Sequence, residues 1–129
     1  MSYEKIHTEA APGAIGPYSQ AIRCNGFLFC SGQIALDPAS GEVVAGGVEE
    51  QAEQVMRNLA AVLEAGGTSW ERVVKTTIYL ATMDDFARVN AIYGAHLGAA
   101  RPARATVAAA GLPKGVLVEV DAVAACDGD

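Results

Sequence analysis

Hydrophobic residues recur at helical spacing in two parts of the chain. From Val48 to Ala65 they form one stripe, with acidic residues crowded into the first turns and two glycines following at 66 and 67. This pattern predicts an amphipathic helix that ends at the glycines. A second helix is predicted to start at Thr82 or Asp84 and to run to about Leu97, because its apolar residues again fall on one face.

Shorter runs with β-branched or alternating residues predict six strands. They cover residues 3–8, 19–24, 27–34, 73–81, 104–110 and 116–124. Asn25 and Gly26 between the second and third runs are typical of a two-residue hairpin turn. The element order is β-β-β-α-β-α-β-β, and two amphipathic helices can cover only one face of a sheet. We therefore expect one α+β two-layer domain over residues 1–129, with both helices packed on one face of a mixed sheet.

The face of the sheet without helices is predicted to be too apolar for water. Alternation places Val107 on the helix-covered side together with Val118, Val120 and Ala122. The other side would then carry Leu117, Val123, Ala108, Ala110, Lys75, Thr77 and Tyr79. Packing against further copies of the chain would bury the apolar part and leave interfacial clefts, so we expect a closed oligomer.

The charged residues within the last two apolar strands include Arg104 and Glu119. A charge in such a strand is costly unless it has a partner, which marks both as candidates for a functional site. Arg104 could bind a carboxylate through two parallel hydrogen bonds, and Glu119 could position a water and move a proton. An ion pair between the two, or between Arg104 and Asp121, is an equally compatible structural explanation. Arg101 is interpreted as a structural or rim charge.

Composition removes several classes of function. The net charge is −6 and no Lys/Arg cluster occurs, which argues against a nucleic-acid-binding protein. No apolar run approaches the roughly 18 residues that span a bilayer, and the N-terminus has no signal pattern, so a cytoplasmic location is expected. The odd number of cysteines favours free thiols, with Cys24 and Cys30 buried and inert. His7 and His96 are far apart, so no metal site is expected.

Other polar candidates each have a structural alternative. Tyr18 could contact a ligand or be a core aromatic residue, and Ser31 with Gly32 could offer a hydroxyl and a close-approach backbone or simply end a strand. Asn90 lies beside the apolar stripe of the second helix and could be only a helix-edge hydrogen bonder. Thr106 shares a strand face with Arg104. Phosphate-binding glycine motifs and the G-x-S-x-G pattern are absent, so neither nucleotide binding nor serine hydrolysis is expected.

Six segments of the chain resemble the RidA/YjgF family of imine deaminases, in the order the family has them. They are IGPYSQA at 15–21, CSGQI at 30–34, VVKTTIYL at 73–80, FARVNAIY at 86–93, RPAR at 101–104 and LPKGVLVEVDAVA at 112–124. The resemblance implies a chorismate-mutase-like α+β fold, a homotrimer with clefts between subunits, and no cofactor or metal.

The resemblance also implies roles. Arg104 would grip the substrate carboxylate and Glu119 would serve the hydrolytic water, while Tyr18, Ser31, Gly32, Asn90 and Thr106 would line the pocket. Many members have a cysteine at position 106, so thiol-based behaviour is not expected here. The implied reaction is hydrolysis of small 2-imino acids to 2-keto acids and ammonia. A non-catalytic trimer that binds keto acids is the alternative, and an endoribonuclease or translation inhibitor is a third, which the negative charge disfavours.

Overall fold

A computed structural model describes residues 2–127 of the chain. Two α-helices, α1 (Val48–Ala65) and α2 (Phe86–Leu97), accompany six strands. The strands are β1 (Tyr3–Ile6), β2 (Ala21–Cys24), β3 (Phe27–Gln33), β4 (Val73–Leu80), β5 (Ala103–Ala108) and β6 (Val118–Ala125). This element order confirms the one predicted from the hydrophobic periods.

The six strands form one mixed sheet in the order β1-β2-β3-β6-β4-β5. Neighbours pair antiparallel except β4 and β5, which run parallel and are joined through α2. A parallel pair needs such a crossover, since a hairpin can join only antiparallel strands. The hairpin between β2 and β3 turns at Asn25 and Gly26, whose φ angles of 60° and 83° fit the predicted Asn-Gly turn.

Both helices cover the same face of the sheet and enclose the core. The stripe of α1, including Val55, Leu59 and Val62, is fully buried, and so is the face of β6 formed by Val118 and Val120. The core also contains further fully buried side chains, namely Leu28, Met56, Leu63, Ile78 and Leu80. The predicted two-layer α+β domain is therefore confirmed, with α1 starting and ending at the predicted residues.

The second helix begins later than predicted, because its first turn is a 3-10 helix at Met83–Asp85. The Thr82 hydroxyl accepts a hydrogen bond from the backbone N–H of Asp84 at 3.2 Å, so the predicted capping residue caps this short turn instead of α2 itself. No helix within residues 2–127 is long and apolar enough to cross a membrane.

The side-chain direction of β5 was predicted wrongly. Arg104 lies opposite Thr76 of β4, which is fully buried beneath the helices, and Val107 lies opposite Tyr79. Arg104 therefore points to the helix-covered side, and Val107 to the open side, where it is 45% exposed. Ala108, opposite the buried Leu80, is on the helix side too. Because β5 is an edge strand made mostly of small residues, its hydrophobic pattern carries little information about its two faces.

The open face of the sheet is apolar, but largely through residues other than those predicted, since Leu117 packs against the core and Ala108 lies on the helix side. Phe27 and Phe29 on β3 remain 41% and 48% exposed, and their rings lie 6.3 Å apart. Phe29 is in register with Val123 on β6. Exposed aromatic residues side by side on a sheet are typical of a surface that another protein covers.

Candidate functional site

Two separate cavities hold the candidate residues. The first, of about 450 Å³, lies between α2 and the start of β5 and is lined by Asn90, Tyr93, Gly94, Leu97, Arg101, Pro102 and Arg104. We call it the arginine cavity. The second, of about 590 Å³, is lined by Tyr18, Ser31, Gly32, Lys114 and Glu119, with others from the 12–20 and 33–36 segments. We call it the glutamate cavity.

Arg104 is held against α2. Its Nη1 donates to Asn90 Oδ1 at 2.6 Å, and the guanidinium carbon lies 5.6 Å from the ring centre of Phe86 and 5.2 Å from that of Tyr93. Both rings are within cation–π range. The Tyr93 hydroxyl in turn shares a 2.6 Å hydrogen bond with the buried Thr76 hydroxyl, so the ring is fixed from below. The exposed guanidinium is thus oriented without any carboxylate partner within residues 2–127.

Glu119 points to the opposite side of the sheet. It pairs with Tyr79, on the open face, while Arg104 pairs with a residue beneath the helices. The expectation that Arg104 shares the open face of the sheet with Glu119 is therefore wrong, and so is the alternative of an ion pair between them. No other residue within the described part of the chain bonds the Glu119 carboxyl. Burial, and after it the negative charge of Asp121, raises the pKa of this carboxyl above its usual value.

A β-bulge brings the backbone of β3 against Glu119. Cys30 pairs with Ala122 and Gln33 with Val120, so Ser31 and Gly32 together oppose one residue of β6. A Cβ built on Gly32 would lie 2.1 Å from Glu119 Oε2, inside any allowed contact. Position 32 therefore has to be glycine for the carboxyl to lie where it does. Glycine within a strand was the available signal for this close approach.

The remaining wall of the glutamate cavity is tied to β2 and β3. Ser31 Oγ donates to the backbone carbonyl of Ser19 at 2.6 Å, which fixes the hydroxyl at the cavity edge. Tyr18 is exposed and lines the same cavity, so it is not a core residue. The structure therefore brings Tyr18, Ser31, Gly32 and Glu119 together in this cavity, whereas Asn90 and Arg104, expected in the same pocket, line the other one.

Gln20 and Lys114 are among the residues of this cavity that the sequence analysis missed. Gln20 is 2% exposed, and its side-chain amide donates to the carbonyls of Thr8, Ala11 and Pro12 at 3.0, 3.3 and 2.7 Å. It also accepts from the Thr8 N–H at 2.7 Å, so one side chain holds the loop that forms the wall. Lys114 lines the cavity with a left-handed φ of 57°. A buried glutamine after a Pro/Gly loop could have suggested the first; nothing in the pattern indicated the second.

Thr106 lines neither cavity. It lies on the helix side of β5, two residues after Arg104, and its buried Oγ1 has no hydrogen-bond partner within the described residues. An unpaired buried hydroxyl costs folding free energy, so the threonine hydroxyl at position 106 is unfavourable for stability. Its predicted contact with a ligand remains a prediction.

The acidic side of β6 and the thiols complete the electrostatics. Tyr79 donates to Asp121 Oδ2 at 3.2 Å, and the nearby carboxylate raises the pKa of the tyrosine. Burial, followed by the charges of Asp121 and Cys126, raises the pKa of Cys30 to about 12. That thiol is unreactive at neutral pH, as expected for a buried cysteine, whereas Cys24, also predicted to be buried, is only partly buried. No group of three or more His, Cys, Asp and Glu within residues 2–127 is arranged to hold a metal ion.

Comparison with known proteins places the chain in a family. A family profile described as "Endoribonuclease L-PSP" matches residues 8–126. The chain belongs to this family, which is also called RidA/YjgF. Among its curated relatives, a RutC family protein from Synechocystis is 56% identical over 96% of this chain and 97% of its own length.

Two further members of the RidA/YjgF family bear on function. The human 2-iminobutanoate/2-iminopropanoate deaminase is 49% identical over 92% of this chain and 87% of its own. The solved structure of TdcF from E. coli with bound serine is 38% identical, covers 95% of this chain and 98% of its own, and superposes with a TM-score of 0.89. Names within the RidA/YjgF family thus include a deaminase as well as an endoribonuclease.

Proposed function

We propose that this chain is a 2-iminobutanoate/2-iminopropanoate deaminase, a hydrolase that converts small 2-imino acids to 2-keto acids and ammonia. The observation that carries the proposal is the Glu119 carboxyl, half-buried in an open cavity with no bonded partner among residues 2–127 and with a raised pKa. A strand charge left unpaired is costly, and perturbed carboxyls in clefts are typical of acid–base sites. The human deaminase at 49% identity supports the same activity.

The catalytic site is composite in this proposal, with the arginine cavity of one copy facing the glutamate cavity of the next in a homotrimer. Arg104 and Glu119 lie on opposite sides of the sheet, so one chain cannot present both to a small ligand. The exposed Phe27, Phe29 and Val107 supply apolar surface for association on the same face of the sheet as Glu119. Burial of such a surface drives oligomer formation.

The mechanism starts with the substrate carboxylate. Arg104, oriented by Asn90 and the two aromatic rings, binds it through a bidentate pair and so fixes the imine carbon. Glu119 accepts a proton from water as that water attacks the carbon and passes it to the imine nitrogen, giving a tetrahedral carbinolamine with a hydroxyl and an amino group. Glu119 then transfers the hydroxyl proton to the amino nitrogen, so that the C=O bond forms as the C–N bond breaks and ammonia leaves with the 2-keto acid. Tyr18, Ser31, Gly32 and Asn90 contribute binding contacts, Thr106 supports Arg104 from the same face of β5, and no cofactor takes part.

Modest acceleration is sufficient for this reaction, because imines already hydrolyse in water. Positioning the water and the imine carbon, with one general base, supplies on the order of 10²–10⁴-fold from the base alone. The raised pKa of Glu119 makes the carboxylate a stronger base than an exposed glutamate.

The assay couples a serine/threonine dehydratase to keto-acid release while semicarbazide competes for the imine. We expect added protein to lower semicarbazone formation and to speed keto-acid appearance. Unchanged semicarbazone formation at protein concentrations equal to the dehydratase would refute the deaminase. Light scattering on the same sample tests the trimer, and a monomer at micromolar concentration would contradict the composite site.

A second candidate function is binding without turnover, favoured by the TdcF structure, which holds serine, a small carboxylate. Arg104 would serve both functions, so only Glu119 separates them. An endoribonuclease is disfavoured, because the chain carries a net charge of −6 and RNA phosphates require a positive surface.

A further inference from the structure

The arginine cavity carries a charge opposite to that of the whole chain. The chain has a net charge of −6, yet the residues lining this cavity include two arginines and no acid. Neither Arg101 nor Arg104 forms an ion pair with a carboxylate within residues 2–127. Two unpaired guanidinium groups in one cavity repel each other and attract anions. The cavity is therefore suited to a ligand that carries more negative charge than a single carboxylate.

Arg101 is fixed in place, unlike a mobile surface charge. Its Nη1 donates to the carbonyls of Gly98 and Ala100 at 2.9 and 2.6 Å, at the C-terminal end of α2. Pro102 follows and restricts the backbone on the other side. Because Nη1 makes both bonds, the Nε and Nη2 donors have no acceptor within the described residues. The group is thus anchored at one nitrogen and open at the others, the arrangement that bidentate anion binding requires.

We propose that Arg101 is a second anion-binding group and that the site takes dicarboxylates, such as the imines and keto acids of acidic amino acids, in addition to the small monocarboxylates of the proposed function. Arg104 binds the carboxylate next to the imine carbon, as in the proposed function on which this inference rests. Arg101 binds the distal carboxylate. The 450 Å³ of the cavity lies within the usual range for small-molecule sites and accommodates such a chain.

Arg101 has a structural alternative, which the test must separate. An arginine that donates to the last carbonyls of a helix stabilises that helix, and it could do only this. A helix cap affects the thermal stability of the protein. An anion-binding group instead affects the affinity for dicarboxylates relative to monocarboxylates.

The experiment measures affinity by calorimetry with two stable probes, 2-oxoglutarate and pyruvate, on the full-length protein. The variant is Arg101→Gln, and the matched control is Arg57→Gln, which removes the same charge from the exposed side of α1. We expect the wild type to bind 2-oxoglutarate at least about tenfold tighter than pyruvate, as one added charge-assisted pair gives. In Arg101→Gln this ratio should fall to about one, and in the control it should not change.

Three results would overturn the inference. The wild type could bind both probes equally, both variants could lower the ratio alike, or Arg101→Gln could lower the melting temperature with the ratio unchanged. Imine turnover, followed separately, distinguishes the two proposals. If the protein is inactive but binds 2-oxoglutarate through Arg101, only the proposed deaminase activity is refuted. If it is active but does not prefer 2-oxoglutarate to pyruvate, only the proposed dicarboxylate binding is refuted.

Discussion

The two cavities lie on the same sheet, but each holds its charged side chain in a different way. In the arginine cavity an exposed cation at a sheet edge is kept still by its neighbours, an amide and two rings. In the glutamate cavity a carboxyl from a central strand is kept half-buried without bonded neighbours among the described residues, against the bare backbone of Gly32. The first arrangement favours rigid recognition of an anion. The second keeps a base partly desolvated and available. In the proposed function this difference assigns binding to the arginine cavity and proton transfer to the glutamate cavity.

Glu119→Gln gives the largest expected effect. Loss of the base should lower kcat by about 10²–10⁴-fold with little change in the binding of pyruvate. Because the folded-state pKa of Glu119 is raised, folding favours its protonated form, and this stabilisation is lost as the pH rises through that pKa. The glutamine variant should therefore melt at a higher temperature than wild type near pH 7 and at the same temperature near pH 3.

Glu64→Gln on the exposed surface of α1 is the matched control for that variant. It should change neither kcat nor the melting temperature. If Glu119→Gln weakened pyruvate binding as much as it slowed turnover, the division of work between the cavities would not hold.

Arg104→Lys should affect the arginine cavity and lower the affinity for substrate. A lysine keeps the charge but loses the planar fork and the stacking on Phe86 and Tyr93, so KM should rise by about 10–100-fold. Steady-state kinetics with the coupled assay measures this, and Arg57→Lys provides the control. An unchanged KM would mean that Arg104 acts only as a point charge.

Tyr93→Phe tests how Arg104 is held. The ring stays, but the hydroxyl that bonds Thr76 at 2.6 Å is removed, leaving a fully buried threonine hydroxyl unpaired. The free energy of unfolding should fall by about 1–3 kcal/mol, measured by denaturant titration. Thr76→Val together with Tyr93→Phe should recover part of that loss. A second variant as unstable as the first would argue against the hydrogen bond as the cause.

Asp121→Asn gives the smallest effect and concerns only the glutamate cavity. The charge of Asp121 helps to raise the pKa of Glu119, so its removal lowers that pKa. The acid limb of the kcat/KM profile should move to lower pH by less than about one unit. Asp84→Asn, at an exposed position before α2, should leave the limb in place. A shift to higher pH in Asp121→Asn would contradict the assignment of the limb to Glu119.

The sequence predicted the fold well where apolar residues are large and periodic. The α1 stripe and the Asn25–Gly26 turn needed only local information. The direction of Arg104 needed the register of β5 on β4, and an edge strand of small residues does not encode which face is buried. For this reason the sequence analysis placed all the candidate residues in one pocket, whereas the structure divides them between two cavities and leaves Thr106 outside both.

Other details of the site depend on long-range pairing that no local pattern contains. The contact between Gly32 and Glu119 requires the bulge between β3 and β6. This bulge brings together residues that are nearly ninety positions apart in the sequence. The hydrogen bond between Tyr93 and Thr76 likewise depends on how α2 crosses the sheet. The glycine and the aromatic residue could be noted in the sequence, but not the atoms that they meet.

The anchoring of the 8–12 segment by Gln20 has an evolutionary consequence. Every group that this amide bonds there is a main-chain N–H or carbonyl, so the anchor is indifferent to the side chains of the segment. Natural variation can therefore rewrite the cavity rim, through Gly13 and Ile15 for example, while its attachment to β2 persists. Exchanging this segment and the cavity rim between homologous proteins is therefore a practical way to test whether the rim determines ligand preference.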